Sequence, residues 1–279
     1  MITLEANAKI NLSLDVLRRR ENGYHDVELI FNEISLSDTV TVSLRDDKKI
    51  VLTCDDMTLP TDERNIAYRS AELFFRESKT NYGADIDIKK RIPHGAGLAG
   101  GSADAAAVLK ALNSLTGNPF SQEKLMEIGV SLGADVPFCI MGGSALAEGI
   151  GEILTPLPKL EGITYVLAKP KESISTKWVY ENLNLNERPE NLCVQAVAEG
   201  IRRGDLEMIF KNAGNIMESV TAQKVPVITD IKRCFIENGA GISLMSGSGT
   251  TTFGVFKDAE KAEKAAQEVR KYTDEVYIV

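Results

Sequence analysis

The stretch Pro93-His94-Gly95-Ala96-Gly97-Leu98-Ala99-Gly100-Gly101-Ser102-Ala103 places four glycines within the seven residues 95–101. The preceding residues 86–90 begin with the strand-like alternation of Ile and Asp, and residues 102–115 form an alanine-rich helical segment. Glycine lets a backbone curl around a ligand without Cβ clashes. The first amides of a helix have no partner within it and point toward an anion. The stretch therefore predicts a phosphate-binding loop between a strand and a helix N-terminus.

Two better-known glycine loops share part of this pattern. Residues 95–100 match the G-x-G-x-x-G dinucleotide fingerprint, which also requires an acidic residue about 20 positions later, at the end of a second strand. Position 120 is Phe, directly after the turn-like residues 116–119, which disfavours dinucleotide binding. A Walker A loop requires Lys before the Ser or Thr, whereas Gly101 is followed directly by Ser102. A tight structural turn, with small residues for helix packing, remains the alternative to a phosphate site.

The composition predicts a globular protein with a sizeable core. The 279 residues are 43% hydrophobic and 26% charged, with a mean hydropathy of −0.10 and a formal net charge of −8. We expect a cytoplasmic protein without a membrane partner, because the N-terminus lacks signal-peptide features and no apolar run approaches the ~20 residues that span a bilayer. The negative charge disfavours a nucleic-acid partner. The four cysteines lack metal-ligand spacing and indicate reduced thiols, and the sequence leaves the oligomeric state open.

Hydrophobic periodicity divides the chain into strands and helices. Residues 9–16 alternate, with polar residues on one face, and predict a half-buried strand. The segment Pro156–Gly162 marks a boundary between an N-terminal domain, 1–155, and a C-terminal domain, 156–279. The other predicted strands are 27–36, 39–44, 50–53, 86–90, 163–168, 242–245, 251–256 and 276–279, with a hairpin over 144–154. The predicted helices are 61–78, 102–115, 121–132, several up to about residue 238, and 258–272, with Gly239 as a C-terminal cap. This order predicts an α+β fold.

Lys9 and Asp135 are the candidate chemical groups outside the glycine loop. Lys9 lies on the polar face of the first strand, and Asp135 lies in a Gly-Ala-Asp-Val-Pro turn. Taken singly, Lys9 is typical of a solvated strand lysine, and Asp135 of a turn or a helix cap. Phosphoryl transfer to an alcohol, however, requires a group that accepts the hydroxyl proton and a positive charge near the developing anion. Asp135 and Lys9 suit these roles, with glycine-loop amides and Mg²⁺ neutralising the phosphate oxygens.

Three motifs, in the expected order, resemble those of the GHMP kinases. They are Ala6-Asn7-Ala8-Lys9-Ile10-Asn11-Leu12, the stretch 93–103, and Met245-Ser246-Gly247-Ser248-Gly249-Thr250-Thr251. The resemblance extends over nearly the whole chain. It implies ATP as cosubstrate with Mg²⁺. It also implies a two-domain GHMP kinase architecture, with a ribosomal-S5-domain-2-like N-terminal half and a ferredoxin-like C-terminal half.

The resemblance is strongest to those GHMP kinases that phosphorylate a cytidine diphosphate alcohol. Gly23-Tyr24-His25 and residues 132–138 and 148–152 carry this part of the match. The implied reaction is ATP-dependent phosphorylation of the 2-hydroxyl of a cytidine diphosphate-linked methylerythritol. That reaction belongs to the non-mevalonate route to isoprenoid precursors. The implied partner is therefore a small molecule.

The resemblance also assigns roles to individual residues. It implies that Asp135 is the catalytic base and Lys9 its partner. The residues implied to bind ATP are Asn65 and Lys90, near the adenine and ribose, and Pro93, Gly95, Gly97, Leu98, Gly100, Gly101, Ser102 and Ala103. The residues implied to bind the substrate are Asn11, Tyr24, His25, Thr176 and Tyr180, with the two tyrosines stacking on the cytosine and the histidine at its edge. The magnesium ligands stay unknown, with Ser102 as one candidate.

Some features leave alternatives open. Asn7 and Thr250 stand where these kinases often have proline, at positions that shape the backbone rather than the chemistry. From the residues alone, the Gly-Tyr-His loop is also typical of a hydrophobic plug with a polar neighbour. The chain could be another GHMP kinase, acting on mevalonate, homoserine or a sugar, in which case no cytidine contact is expected. It could instead be a nucleotide-binding regulator without turnover, although such a protein needs neither Lys9 nor Asp135.

Overall fold

The computed structural model describes residues 1–279. The strands are β1 (Ile2–Arg19), β2 (His25–Arg45), β3 (Ile50–Cys54), β4 (Gly83–Lys89), β5 (Ser144–Glu148), β6 (Ile153–Leu157), β7 (Thr164–Lys169), β8 (Ile242–Met245), β9 (Thr252–Phe256) and β10 (Glu275–Ile278). The helices are α1 (Ile66–Ser78), α2 (Gly100–Leu115), α3 (Gln122–Val130), α4 (Val136–Met141), α5 (Thr176–Asn182), α6 (Val194–Arg203), α7 (Leu206–Asn212), α8 (Glu218–Lys224), α9 (Val227–Glu237) and α10 (Ala259–Val269). No helix combines the length and the apolar character that crossing a membrane requires.

The chain forms two compact units, each assembled from several stretches of sequence. The first unit contains residues 1–9, 33–94 and 99–142, and the second contains residues 10–32, 95–98 and 143–279. Strand β1, strand β2 and the glycine loop each contribute residues to both units. The domain division at residues 155 and 156 stays a prediction.

In the first unit, strand β4 pairs with β2 on one side and β3 on the other. Residues 39–45 of β2 run antiparallel to β4, and β3 runs parallel to it. The register places Val40 opposite Ile88 and Val42 opposite Ile86, and all four side chains are buried. Alternate residues of a strand face the same side of its sheet, so these pairs build one apolar face. Helix α1 packs against β3 and β4.

Helices α1 and α2 of the first unit pack closely because the residues between them are small. Asn65 begins α1 as its N-cap, with Oδ1 accepting a hydrogen bond from the Ala67 amide at 2.9 Å. At the start of α2, a Cβ on Gly101 would lie 3.3 Å from Ile66 Cγ2. The alanines of α2 that are buried are Ala103, Ala105, Ala106, Ala107 and Ala111. This packing fixes the N-terminus of α2 beside the start of α1.

The second unit contains a four-stranded antiparallel sheet in the order β10-β7-β9-β8. Along the chain, β7 is followed by helices, the β8–β9 pair, helix α10 and strand β10. This is the β-α-β-β-α-β arrangement of a ferredoxin-like fold, and it confirms the predicted C-terminal half. Helices α9 and α10 pack on the sheet through a buried cluster that includes Val166, Phe235, Phe256, Ala262 and Val269. Gly239, with φ +94°, follows the C-cap of α9 as predicted.

The second unit also contains two hairpins. Strands β5 and β6 pair antiparallel around residues 149–152, which confirms the predicted hairpin. The Arg20 amide donates to the Tyr24 carbonyl at 2.7 Å, which closes the turn between β1 and β2. Residues 29–32 of β2 pair with residues 144–147 of β5.

Two local predictions are wrong, and one helix was missed. The polar face of β1 is not solvated, because four of its residues are less than 5% exposed: Lys9, Asn11, Ser13 and Asp15. These polar groups tolerate burial because they have partners; Asp15, for example, forms an ion pair with Arg188 at 2.6 Å. The strands expected at 27–36 and 39–44 are one strand, β2. Asp38, at the expected break between them, is buried and accepts hydrogen bonds from the backbone amides of Arg91 and Ile92. Helix α4 was not among the predicted helices, although a helix cap was one of the two interpretations of Asp135.

Candidate active site

Lys9 and Asp135 form an ion pair within the first unit. Lys9 Nζ lies 3.6 Å from Asp135 Oδ2, and the two side chains are 5% and 34% exposed. The interpretation of Lys9 as a solvated strand lysine is therefore wrong. A buried ammonium group beside a partly exposed carboxylate leaves that carboxylate accessible to a hydroxyl group while keeping a positive charge next to it.

Helix α4 positions Asp135. Asp135 is the N-cap residue of α4, but its side chain makes no capping hydrogen bond, so the carboxylate is not used as a cap. The Cys139 amide donates to the Asp135 carbonyl at 3.1 Å and closes the first turn. Two residues earlier, a Cβ on Gly133 would lie 3.8 Å from Ser102 Oγ. The segment that leads to Asp135 therefore lies beside the first turn of α2.

The glycine loop has the backbone shape that an anion site needs. Gly95, Gly97 and Ala99 have φ angles of +61°, +76° and +59°, and they alternate with residues of ordinary φ. Successive left- and right-handed residues turn amides toward a common point and form an anion-binding nest. Helix α2 begins directly afterwards, without an acidic residue in its first turn. The unpaired amides and the positive end of the dipole are therefore available to a phosphate.

The remaining residues predicted for the loop differ in exposure. Leu98 and Ala103 are buried, at 1% and 2%, so any contact with a phosphate comes from their backbone. Gly95 and Gly101 are exposed, whereas Pro93, Gly97, Gly100 and Ser102 are half-buried. The ATP contacts of all these residues stay predictions.

In the second unit, the turn of the third motif supports the glycine loop. Ser246 Oγ donates to the Gly97 carbonyl at 3.0 Å and accepts from the Asn11 amide at 3.2 Å. The Thr251 amide donates to the Ala96 carbonyl at 3.3 Å. A Cβ on Gly97 would lie 2.2 Å from the Ser246 carbonyl oxygen, so this position requires glycine for space as well as for its φ angle. The structural-turn interpretation is thus correct for Gly97, and it does not exclude phosphate binding by the loop.

The predicted cytidine residues lie in the second unit, and the structure brings two of them together. The rings of His25 and Tyr180 stack with a centroid distance of 4.7 Å and an interplanar angle of 20°. This is direct stacking contact, so no base fits between these two rings as they stand. Tyr24 is 59% exposed and offers a free ring face. Thr176, one turn before Tyr180 on α5, shares a hydrogen bond with Ser248 of the third motif at 2.8 Å.

His25 is held in its neutral form. Burial and, to a smaller extent, the positive charge of Arg19 lower the pKa of His25 below its usual 6.5. A neutral imidazole ring has one donor and one acceptor nitrogen. At pH 7, His25 can therefore both donate to and accept from the edge of a polar base.

The two residues predicted near the adenine and ribose already have hydrogen-bond partners within the first unit. Asn65 uses both ends of its amide, with Oδ1 capping α1 and Nδ2 donating to the Pro60 carbonyl at 2.8 Å. Lys90 Nζ donates to Asp104 at 2.8 Å and also to Asp38. Burial opposes the charge of Lys90, but the two carboxylates outweigh it and raise its pKa. The nucleotide contacts of Asn65 and Lys90 stay predictions.

Sequence reasoning missed Asp38 and Asp104. Both side chains are at most 5% exposed and bind Lys90, which lies three residues before the start of the glycine-loop stretch at Pro93. Burial raises the pKa of Asp104. One signal was available for Asp104, because a single acid among the alanines of α2 lies on a helix that is buried nearly all round. Asp38 lies in the break between the strands predicted at 27–36 and 39–44, where an acidic residue is typical of a turn and carries no comparable signal.

The two departures from the expected motifs have local partners. Asn7 Nδ2 donates to Glu33 Oε1 at 2.8 Å. Thr250 is fully buried, its Oγ1 donates to the Glu172 carbonyl at 2.7 Å, and the Gly249–Thr250 peptide bond is cis. Each polar side chain thus holds its own segment through a hydrogen bond.

The structure contains no group of three or more His, Cys, Asp or Glu side chains that could hold a metal ion. Mg²⁺ in phosphoryl-transfer sites is commonly bound by one or two protein oxygens, substrate phosphates and water. Hard oxygen donors of this kind are present at the start of α2, in the Ser102 hydroxyl, and on the neighbouring segment, in the Asp135 carboxylate. The residues therefore fit an ion that arrives with a nucleotide rather than one held by a protein cage.

Comparison with known proteins identifies the family. The GHMP kinases N terminal domain matches residues 65–143, and the GHMP kinases C terminal domain matches residues 197–275. A 4-diphosphocytidyl-2-C-methyl-D-erythritol kinase of Alkaliphilus metalliredigens is 44% identical over 278 residues, covering 100% of this chain and 96% of its own. Its counterpart in Acetivibrio thermocellus is 46% identical over 261 residues, covering 94% of this chain and 92% of its own.

Solved structures agree with this assignment. A crystal structure of 4-(cytidine 5'-diphospho)-2C-methyl-D-erythritol kinase superposes with a TM-score of 0.83 at 32% identity, covering 99% of this chain and 98% of its own. Homoserine kinase from Cytophaga hutchinsonii superposes with a TM-score of 0.78 at 23% identity, covering 99% of this chain and 93% of its own, and shares the fold. The motifs, the two-part architecture and the extent of these matches lead to one conclusion: the chain belongs to the GHMP kinase family.

Proposed function

We propose that the chain transfers the terminal phosphoryl group of ATP to the 2-hydroxyl of 4-diphosphocytidyl-2-C-methyl-D-erythritol. The chain is an ATP-dependent small-molecule kinase. The observation that carries the chemistry is the Lys9–Asp135 pair, with a buried cation 3.6 Å from a carboxylate that a hydroxyl can reach. The choice of substrate is supported by the 42–46% identity to kinases of that name, which extends over nearly the full chain.

In the proposed reaction, Asp135 acts as general base. Its carboxylate accepts the proton of the substrate hydroxyl as that oxygen forms a bond to the γ-phosphorus of ATP. The bond between the γ-phosphorus and the bridging oxygen breaks, and ADP leaves with the electron pair. The Lys9 ammonium group stabilises the negative charge that develops on the attacking oxygen. The pair thus supplies a proton acceptor and a positive charge without a covalent intermediate.

The backbone supplies the second part of the proposal. The free amides at the start of α2 and the left-handed residues of the glycine loop bind the phosphates of ATP. Mg²⁺, when bound with the nucleotide, neutralises phosphate oxygens, and Ser102 is its proposed protein ligand. Tyr24 stacks on the cytosine, and the neutral His25 hydrogen-bonds to the cytosine edge. Tyr180 is the second aromatic group of this subsite and lies against His25 until the base binds.

The proposal is tested by measuring ADP release with a panel of alcohols. The panel contains the cytidine diphosphate methylerythritol, mevalonate, homoserine and a hexose, with wild-type protein and Asp135→Asn. We expect turnover of the cytidine substrate alone, and a 10²- to 10⁴-fold lower kcat in the variant, because the amide cannot accept the proton. ATP affinity stays nearly unchanged in Asp135→Asn.

Two results would contradict the proposal. Turnover of mevalonate, homoserine or the hexose in place of the cytidine substrate would assign the chain to another GHMP kinase activity. An Asp135→Asn variant that keeps more than about half of the wild-type kcat would remove Asp135 from the chemistry, since general-base loss costs far more than this.

A further inference from the structure

Helix α4 is too short to hold its own position. It has six residues, Val136–Met141, and a helix of this length gains little stability from its own hydrogen bonds. Asp135 lies at its N-terminal end. The place of the Asp135 carboxylate beside Lys9 therefore depends on contacts that other elements make with α4.

Lys110 of helix α2 holds the C-terminal half of α4. Its Nζ donates to the Cys139 carbonyl at 3.3 Å, one turn after Asp135, and α2 packs along α4. The carbonyls of the last turn of a helix carry partial negative charge and are stabilised by a cation. Lys110 is half-buried. Burial lowers the pKa of Lys110, and interactions with Cys139 and, to a smaller extent, Glu33 partly oppose that shift.

Glu33 of β2 contacts the residue that ends α4. The Gly142 amide donates to the Phe138 carbonyl at 2.7 Å and terminates the helix. Gly142 has a φ angle of +74°, and a Cβ there would lie 3.1 Å from Glu33 Oε2. The Glu33 carboxylate therefore lies beside the end of α4, where it restricts movement of the helix end toward Glu33.

Asn7 connects Glu33 to the strand that carries Lys9. Its Nδ2 donates to Glu33 Oε1 at 2.8 Å. Asn7 and Lys9 are two residues apart on β1, so their side chains leave the same face of the strand. The N-terminal end of α4 is thus joined to β1 by the Lys9–Asp135 ion pair. The C-terminal end of α4 is joined to β1 by Glu33, which contacts Gly142 and binds Asn7. All of these residues belong to the first unit.

We propose that Lys110 and Glu33 are positioning residues for phosphoryl transfer, which hold the C-terminal end of α4 so that Asp135 stays beside Lys9. This inference rests on the proposed function. Neither residue touches the reacting atoms; each acts through α4. A displacement of about 1 Å at a catalytic group can lower a rate by 10²-fold, so an anchor on α4 affects kcat more than substrate binding.

The test compares Lys110→Met and Glu33→Gln with a matched surface control. Lys124→Met removes a part-exposed lysine on the outer side of α3, where it pairs with Glu127. We expect Lys110→Met to lower kcat by about 10- to 100-fold, with KM for ATP within about 3-fold of wild type. Glu33→Gln has a smaller effect in the same direction, and Lys110→Arg restores part of the loss because it keeps a cation near the Cys139 carbonyl. Lys124→Met leaves kcat unchanged.

A double variant separates positioning from general damage to the fold. If Lys110 acts through Asp135, Lys110→Met lowers kcat in the wild type but not further in an Asp135→Asn background. Equal losses in both backgrounds would overturn the proposal. If Lys110→Met does not fold, the same comparison is made with Lys110→Gln.

Crystal structures of the wild type and the Lys110 variant give a readout that does not depend on substrate identity. A longer Lys9 Nζ–Asp135 Oδ2 distance in the variant supports the positioning role even if the wild type phosphorylates an alcohol other than the proposed one. An unchanged distance together with an unchanged kcat would overturn the positioning role while leaving the proposed function intact.

Discussion

Gly97 lies so close to Ser246 that a Cβ on residue 97 would be 2.2 Å from the Ser246 carbonyl oxygen. The Ser246 hydroxyl donates to the Gly97 carbonyl at 3.0 Å. A hydrogen bond and close backbone packing thus both join the two segments. The glycine loop therefore owes its shape to a turn far away in the sequence as well as to its own glycines.

This contact predicts a difference between two glycine variants. Gly95→Ala places a side chain at φ +61° with no atom within 4 Å. We expect it to lower the free energy of unfolding by about 1–2 kcal/mol, which is the strain of a left-handed residue with a side chain. Gly97→Ala adds a backbone clash to the same strain and should cost clearly more, with at least about 10-fold weaker ATP binding. Thermal unfolding and ATP titration of both variants measure this. Equal behaviour of the two variants would contradict the role of the Ser246 contact.

Lys9→Met should lower kcat far more than it raises KM for ATP. The ammonium group lies beside the proposed base, so its charge acts on the oxygen that becomes negative in the transition state. We expect a loss of about 10²-fold or more in kcat. Lys89→Met is the matched control, since Lys89 is an exposed strand lysine in the same unit. A change confined to KM would instead make Lys9 a simple binding residue.

Asp104→Asn should change how stability depends on pH. Burial raises the pKa of Asp104 to about 7 in the folded protein, from 3.8. A carboxyl group with a raised folded-state pKa contributes stability that is complete below its unfolded pKa and is lost as the pH rises through the folded pKa. Wild-type protein therefore loses this contribution between about pH 4 and pH 7, whereas the neutral amide of the variant does not titrate.

Urea unfolding at pH 5 and pH 8 measures this effect. The free energy of unfolding of Asp104→Asn, relative to wild type, should be higher at pH 8 than at pH 5. Asp274→Asn, at an exposed carboxylate, is the control and should show no such change. If the relative stability of Asp104→Asn is the same at both pH values, Asp104 does not titrate in this range.

Tyr24→Ala should raise KM for the cytidine substrate by about 10-fold, with ATP affinity almost unchanged. Stacking of a base on an aromatic ring is worth about 1–3 kcal/mol, and the Tyr24 ring is exposed and available. Tyr82→Ala, at another exposed tyrosine, is the control. The measurement is kcat/KM for cytidine and uridine forms of the substrate with each variant.

His25→Ala should relax the preference for cytidine over uridine in the same matrix. The neutral imidazole offers one donor and one acceptor, and a site built to hydrogen-bond a polar group discriminates strongly against analogues that lack it. The variant removes the stacking contact between His25 and Tyr180 but keeps both tyrosines, so stacking on the base is less affected than recognition of its edge. Equal losses for both bases would remove His25 from base recognition.

The sequence by itself determined the local elements of this protein. Period-two alternation located β1 and β4, and the alanine-rich run and its glycines located α2 and the loop before it. The strand and helix order of the C-terminal half was sufficient for an α+β layer. These features are readable because periodicity and turn chemistry act over a few neighbouring residues.

Only the tertiary structure decided which polar groups are buried and what they contact. Lys9 has the sequence pattern of a solvated lysine, yet it lies buried next to Asp135. Asp38 and Asp104 enclose Lys90, and Gly97 meets Ser246. A charge or a carbonyl is stable in the interior only with a partner, and these partners come from distant parts of the chain. Local pattern therefore predicts that a polar residue is present, whereas the packing of distant segments determines whether it is solvated, paired or placed beside the reacting atoms.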